Sequence, residues 1–403
     1  MDQVALLKRL IQIDSTNPPG NTEKIAAFIK KYLKELRVPC QTFTFKKGLV
    51  NLVCRVGSKN SRKTILFTPH IDTVPATGTW RHGPLSGKIS GGKIFGRGSS
   101  DCKINVAAAL ELLRLFKTGK IALNNLDLVF AFCCDEETGS AWGTIPLVKK
   151  LGAIDYGVVL DADEFEMITA QKGLLHLRVE LFGKEAHGAY PERGRSAVEA
   201  GVRILSEIMD KAFLEEPAGG DDLVQMSLRD DFAKAATSGF SFRRHPLLKK
   251  PTLNVGRFCG GDKVNIVAGD AFFELDFRYL PGMRKEDIIA TLTRVIKKHH
   301  IPYRLKTLAW QDAIEIDKNL ISLVTLKEVL KSHKITPRLK ASFGATVINF
   351  LQDQGIKSFA FGFGSSGTAH AKNEYARISH LKKGAAVLLD YVKTLDNKLH
   401  NSL

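Results

Sequence analysis

The sequence predicts an α/β protein whose mostly parallel sheet, flanked by helices, is interrupted by an inserted α+β domain. Three observations predict it. Short apolar runs alternate with helical patterns through the N-terminal third and again from about residue 319, as in a parallel sheet covered on both faces. Between them the strands alternate apolar and polar residues, the mark of an antiparallel sheet with one wet face. A length of 403 residues suits two domains better than one. The expected boundaries are 1–173 with 309–403 for the first domain and 174–308 for the insert.

The elements follow in order. After Pro18-Pro19-Gly20, residues Ile25, Phe28, Ile29, Tyr32, Leu33 and Leu36 recur at helical spacing, with Asn21 and Thr22 as candidate caps. Thr64 to Thr68 is a buried-strand run, Val106 to Phe116 a helix, and Leu128 to Cys133 and Tyr156 to Leu160 are strands. From Leu174 the texture changes. Leu175 to Leu181 alternates, Arg195 to Met209 is helical, Leu253 to Phe258 and Ala271 to Tyr279 are strands, and Ile288 to Ile296 is a helix. The polar stretch Leu214 to Lys250 reads as a long surface excursion. A helix at Leu320 to Leu330, a strand at Phe359 to Gly362 and a helix from about Leu381 close the first domain.

Apolar residues make up 44% and charged residues 25%, which excludes a disordered, collagen-like or disulfide-scaffold chain. No apolar run approaches the roughly 18 residues of a membrane span. The start carries Asp2, Lys8, Arg9 and Asp14 and lacks the apolar stretch of a signal peptide. The cytoplasm is the expected compartment, with no membrane partner. Six cysteines without a CxxC pair read as reduced thiols. The formal charge is +17, but the surplus is scattered; its densest runs are Lys30-Lys31 and Lys297-Lys298. Such a surplus can mark nucleic acid, an anionic membrane surface or an anionic substrate; it reads here as a lysine-rich bias scattered on helix faces, and a steep salt dependence of DNA binding would be needed to argue for nucleic acid.

Chemistry-bearing residues recur where strands end. His70-Ile-Asp72 follows Ile65 to Phe67. Asp101 follows Gly96-Arg-Gly-Ser-Ser and precedes a helix. Asp135-Glu136-Glu137 follows Leu128 to Cys133, and Asp161-Ala-Asp163-Glu164 follows Val158 to Leu160. Phe359 to Phe361 leads through a Gly/Ser loop to His370. Taken singly, a His-x-Asp is usually an edge pair and an Asp-Glu-Glu a solvated turn. Together they would crowd carboxylates into the crevice at the carboxyl ends of the strands, which is costly unless cations offset the repulsion. Two histidines with several carboxylates are the N/O donor set of Zn²⁺ or another divalent ion.

With Lys184-Glu-Ala-His187, Gly260-Gly261 and Asn265, Phe277-Arg278 before Pro281-Gly282, and Ala369-His370 with Glu374-Tyr375, these runs resemble the co-catalytic zinc hydrolases. That family includes acetylornithine deacetylase, succinyl-diaminopimelate desuccinylase, aminoacylase and glutamate carboxypeptidase. The resemblance extends from Asp14-Ser-Thr-Asn-Pro-Pro to the last helix. It implies a zinc-hydrolase catalytic domain with an inserted dimerisation, or lid, domain. It further implies two divalent metal ions, zinc with cobalt or manganese as alternatives. Asp101 would bridge them, His70 and Asp161 would complete one site, and Glu137 and His370 the other. Asp163 and Glu164 stay open as substitutes for Asp161. Glu136 would be the general base and Asp72 the carboxylate that orients His70, in line with the usual N–H donation from ligating imidazoles. His187 would reach across a homodimer to the partner's site, while Asn265 and Arg278 would hold the substrate's carboxylate; the alternative for Arg278 is a salt bridge within the sheet. The dimer contacts would be the helix side with Ala197, Val198, Val202 and Leu205 and an edge strand near Leu177 to Leu181.

The implied reaction is hydrolysis of an N-acyl amino acid by a metal-activated water, of the deacetylase or desuccinylase kind. The alternatives are a carboxypeptidase or dipeptidase acting beside a free carboxylate, and a non-catalytic metal-binding or nucleic-acid-associated protein. Asp72 and Glu136 argue against the last, since neither is needed to bind metal. Cys102-Lys103-Ile104-Asn105 and Gly344-Ala345-Thr346 depart from the family pattern. The first should narrow the site or alter packing, and the second puts a substrate-side contact in doubt.

Overall fold

Ile65, Leu66 and Phe67 are at most 1% exposed, so both faces of their strand are covered, as in parallel sheets between helices. The computed structural model describes residues 1–57, 61–209, 251–342 and 347–401. The expected excursion from Leu214 to Lys250 and the Gly344-Ala345-Thr346 turn lie outside them. In chain order the strands are β1 (Cys40–Lys46), β2 (Leu49–Gly57), β3 (Lys63–Thr68), β4 (Lys88–Ser90), β5 (Lys93–Phe95), β6 (Leu126–Phe132), β7 (Tyr156–Val159) and β8 (Glu166–Gln171). They continue with β9 (Gly173–Phe182), β10 (Thr252–Gly260), β11 (Asp270–Tyr279), β12 (Tyr303–Gln311), β13 (Ile314–Glu315), β14 (Arg338–Ser342), β15 (Lys357–Phe361) and β16 (Tyr375–Arg377). The chain forms two compact units, one of Met1–Thr169, Ile316–Lys340 and Val347–Leu403, the other built chiefly from Ala170–Glu315.

The first unit is centred on a sheet of order β1-β2-β6-β3-β7-β15-β8. Its middle, β6-β3-β7-β15, is parallel, and β1, β2 and β8 are antiparallel additions. The helix Ile104–Lys117 is buried along nearly its whole length, hence its lack of a polar face in the sequence. Phe67 stacks on Phe130 with centroids 5.3 Å apart and meets the edge of Tyr391 from the helix Ile378–Asn401. The helix Glu23–Glu35 buries Ile25, Ile29, Tyr32 and Leu33, the periodic positions of the sequence. Asn21 caps it by accepting from Glu23 N at 3.1 Å. Thr22 turns its hydroxyl to Val50 N at 2.8 Å instead, fastening the helix start to β2. No helix among the described residues is long and apolar enough to cross a membrane.

The second unit is an antiparallel sheet of order β10-β11-β9-β12. Along β9 and β11 buried and half-buried residues alternate. Leu175, Leu177, Val179, Leu181, Phe273 and Phe277 form one core with Ile204 of the helix Ala197–Glu207 and Leu292 of the helix Lys285–Lys298. The expectation of an edge strand at Leu177 to Leu181 is corrected here. β9 lies between β11 and β12, and its apolar face covers the unit's own core. Alternation reports which face a residue occupies, not whether its strand is central.

Candidate active site

The loops that follow the parallel strands are joined by backbone hydrogen bonds. Cys133 N donates to Pro69 O at 3.0 Å, and Ile71 N donates to Cys133 O at 2.8 Å. These bonds lock the His70 loop after β3 to the Glu136–Glu137 turn after β6. Leu160 N donates to Thr68 O at 3.1 Å, which brings Asp161 alongside. Asp163 pairs with Gly364 beyond β15, on the way to His370. The Gly96–Ser100 turn delivers Asp101 just before the helix Ile104–Lys117, through a cis peptide between Asp101 and Cys102. Parallel strands end at one sheet edge, so residues scattered through the sequence collect there.

Asp101 stands between the two histidines. Its Oδ1 lies 2.9 Å from His70 Nε2 and its Oδ2 lies 3.1 Å from His370 Nε2. Asp161 Oδ1 is 3.8 Å from His70 Nε2, and Glu137 Oε2 is 3.0 Å from His370 Nε2. Two donor clusters therefore share one carboxylate. Glu136 lines a small recess with His70, Asp161, Thr68, Cys133 and Thr144. Glu164 is engaged elsewhere, 2.8 Å from Arg377 Nη1.

Asp72 holds more than an imidazole. His70 Nδ1 is 3.0 Å from the Asp72 carbonyl oxygen and 3.6 Å from its carboxylate. The carboxylate itself accepts from the backbone N–H groups of Glu136 at 3.2 Å and Glu137 at 3.3 Å. It also accepts from Asn17 Nδ2 at 3.0 Å, and Asn17 reaches Asp135 Oδ1 and Thr138 Oγ1, each at 3.2 Å. In the sequence Asn17 stands out only as part of the Asp14-Ser-Thr-Asn-Pro-Pro run. Its partners are distant in the chain, and only the Asn-Pro-Pro run hinted at a special turn. Cys102 donates its buried thiol to His70 O at 3.2 Å. Lys103 Nζ donates to Ile13 O at 2.8 Å, and Asn105 Oδ1 accepts from Phe363 N at 3.0 Å. The Cys102–Asn105 departure is thus absorbed in packing and loop contacts.

The electrostatics fit a cation-binding site. Burial, with the charge of Asp101 added, pushes Glu137 up to about 7 and Asp161 up to about 6. Burial and the charge of Asp161 raise Glu136 well above the carboxylate range. Asp101 is held low: burial opposes its charge, but hydrogen bonds from His370 and His70 outweigh that, and Asp72 is lowered likewise against its burial. Glu137 Oε1 is buried without a hydrogen-bond partner, an arrangement that normally costs about 1–3 kcal/mol. Divalent ions would satisfy that oxygen and relieve the crowded carboxylates. The donor set of imidazole and carboxylate suits zinc, cobalt or manganese.

The remaining candidates lie in the second unit. His187 is exposed on a loop bridged to Ile266, and Gly188 N donates to Asn265 O at 2.8 Å. His187 and Asn265 are thus brought onto adjoining loops. Ala189 N donates to His187 Nδ1 at 3.0 Å, so the neutral ring carries its proton on Nε2, available as a donor. Arg278 makes the salt bridge within the sheet, with Nε and Nη2 at 2.8 and 3.2 Å from the two oxygens of Asp276.

Residues 66–394 match the peptidase family M20/M25/M40. An uncharacterized metallohydrolase of Methanococcus maripaludis is 26% identical, covering 97% of this chain and 99% of its own. A succinyl-diaminopimelate desuccinylase of Psychromonas ingrahamii is 25% identical over 94% of this chain and 95% of its own. An aminopeptidase from Bacillus cereus has a similar fold, with a TM-score of 0.74 and 21% identity over 98% of each chain. The chain belongs to the peptidase family M20/M25/M40 and is a metallohydrolase of that family.

Proposed function

We propose that this metallohydrolase cleaves the amide bond of an N-acyl amino acid at a two-ion centre. The observation that carries the reading is Asp101, whose two oxygens face different histidines at 2.9 and 3.1 Å. His70, Asp101 and Asp161 would hold one ion, and Asp101, Glu137 and His370 the other. The engagement of Glu164 by Arg377 favours Asp161 over its neighbour. When bound, the ions polarise the scissile carbonyl and lower the pKa of the attacking water.

The chain's own groups do the rest. Glu136 accepts a proton from the water on a carboxylate oxygen and delivers it to the leaving nitrogen. Burial and Asp161 raise its proton affinity, the direction a group that must take up a proton needs. Asp72 fixes where that carboxylate sits by holding the N–H groups of Glu136 and Glu137. His187 supplies an Nε2–H to the oxyanion of a partner's site in a homodimer built on the inserted unit. Asn265 and Arg278 bind the substrate's carboxylate; Arg278 would share its fork with Asp276. Likeness to a desuccinylase along most of the chain supports an acylated amino acid over a peptide. The cytoplasm remains the expected setting.

A panel of N-acetyl, N-succinyl and N-formyl amino acids beside dipeptides, assayed with Zn²⁺ or Co²⁺, tests the substrate class. Acylated amino acids should be preferred, and exclusive cleavage of dipeptides would overturn the choice. Glu136→Gln should lower kcat by at least about 10²-fold with metal retained. If that variant loses metal and Glu137→Gln does not, the two glutamates are reversed.

A further inference from the structure

Glu374 is 1% exposed and lies four residues after His370. Its Oε2 accepts from Arg97 Nη1 at 2.7 Å and from Gly98 N at 2.9 Å. Its Oε1 accepts from Ser100 N at 2.8 Å and from Asp101 N at 3.0 Å. An ionised carboxylate has about four acceptor sites, and here four donors meet them. Burial leaves this carboxyl above its ordinary value although three backbone amides oppose the shift. The permanently charged guanidinium at 2.7 Å favours the ionised form. The turn that presents Asp101 is thereby pinned from below, through its own backbone.

Arg97 carries the restraint to other loops. It is 4% exposed. Nη1 also donates to Ala371 O at 3.3 Å, and Nη2 donates to His370 O at 3.3 Å and Pro75 O at 3.5 Å. His370 has φ 59°, a left-handed conformation that a non-glycine residue keeps only where its surroundings impose it. The guanidinium on its carbonyl is one such imposition. One ion pair thus touches the loop after His70 and Asp72, the turn of Asp101 and the turn of His370.

We propose that the Arg97–Glu374 pair is a positioning clamp that fixes Asp101 relative to His370 and so sets the geometry and affinity of the ion site they share. The proposal rests on the two-ion reading above. Neither residue meets the substrate; both act through the ligands whose backbone they hold. Groups that orient metal ligands typically change metal affinity by about 10–100-fold when altered.

The test is a Co²⁺ titration of chelator-stripped protein, followed by visible absorption, beside thermal unfolding of each variant. Glu374→Gln keeps the shape and removes the charge. Because it strands a buried guanidinium, Arg97→Met/Glu374→Gln is made in parallel, and Glu374→Asp tests conservative rescue. Glu111→Gln is the control, since it breaks the mostly buried pair with Arg114, away from the site. The expected result is that Glu374→Gln and the double variant bind at least one equivalent about 10–100-fold more weakly, with an altered spectrum. Glu374→Asp should recover part of that loss. Glu111→Gln should lower Tm and leave both affinities unchanged. Clamp variants that lose Tm yet bind Co²⁺ as the wild type does would make the pair a structural one only and overturn the proposal. A wild type that takes up one equivalent would sink the two-ion reading instead, and the clamp would be judged on that equivalent.

Discussion

The two units surround their candidate functional residues differently, although His370 of the first unit is itself exposed. In the first, His70, Asp72 and Asn17 are buried and cross-linked by hydrogen bonds from four segments of the chain. In the second, His187 and Asn265 are exposed on loops. The difference matches the demands on each. Groups that hold ions and move protons must stay put within fractions of an ångström, whereas groups that meet a substrate have to be reachable. On the proposed assignment, the chemistry would rest chiefly on the buried network and substrate recognition on the exposed loops.

This contrast predicts how the two regions respond to mutation. His187→Ala should leave Tm nearly unchanged, because the residue is exposed, yet lower kcat by about 10²–10³-fold, as losing an oxyanion donor does. Mixing inactive His187→Ala with inactive Glu136→Gln chains should restore activity in the heterodimer. One site there has an intact Glu136 and receives the partner's intact histidine. Proven heterodimers without activity would confine His187 to a structural role.

Asn17→Ala should behave in the reverse manner. It leaves Asp72, Asp135 and Thr138 short of a donor, so unfolding free energy should fall by about 1–3 kcal/mol and kcat should fall with it. An unchanged Tm would show that Asn17 does not tie the network together. Arg278→Lys keeps the charge but not the planar fork. KM should rise while kcat and stability hold, and an unchanged KM would leave Arg278 to its bond with Asp276.

The smallest effect is on pH dependence. Burial first, then Asp101, raises Glu137 to about 7 and Asp161 to about 6, against about 4 for such groups in the unfolded chain. In that interval the folded state binds more protons than the unfolded one, so stability must fall as pH rises. Hydrogen bonding to Asp101 raises His370 to about 9 despite burial; its contribution likewise declines as pH rises from its unfolded value through 9. Metal-stripped protein should accordingly lose Tm progressively between about pH 4 and 9, and metal-loaded protein should not. Parallel curves for the two forms would contradict the assignment of these carboxylates to the ion site.

The legibility of the sequence divides along the same line. The parallel strands and the acidic clusters at their ends could be read, because buried strands are continuous apolar runs and ionisable residues beyond them stand out. Asn17 could not be assigned, since its partners Asp72 and Asp135 lie 55 and 118 positions away. Arg97 and Glu374, 277 positions apart, escaped for the same reason. The helix Gln3–Ile11, capped by Asp2 accepting from Ala5 N, and the β1–β2 ribbon went unassigned among short mixed runs. The central place of β9 in its sheet is not legible either, because pairing partners leave no mark in a strand's own alternation.

The central claim is that Asp101 joins two ion sites, and metal stoichiometry tests it most directly. Protein stripped with a chelator, reloaded with Zn²⁺ and freed of excess should carry two ions per chain. Asp101→Asn, which weakens the shared ligand, should lower that number. A wild type that saturates at one ion under excess zinc would contradict the bridging role and, with it, the proposed mechanism.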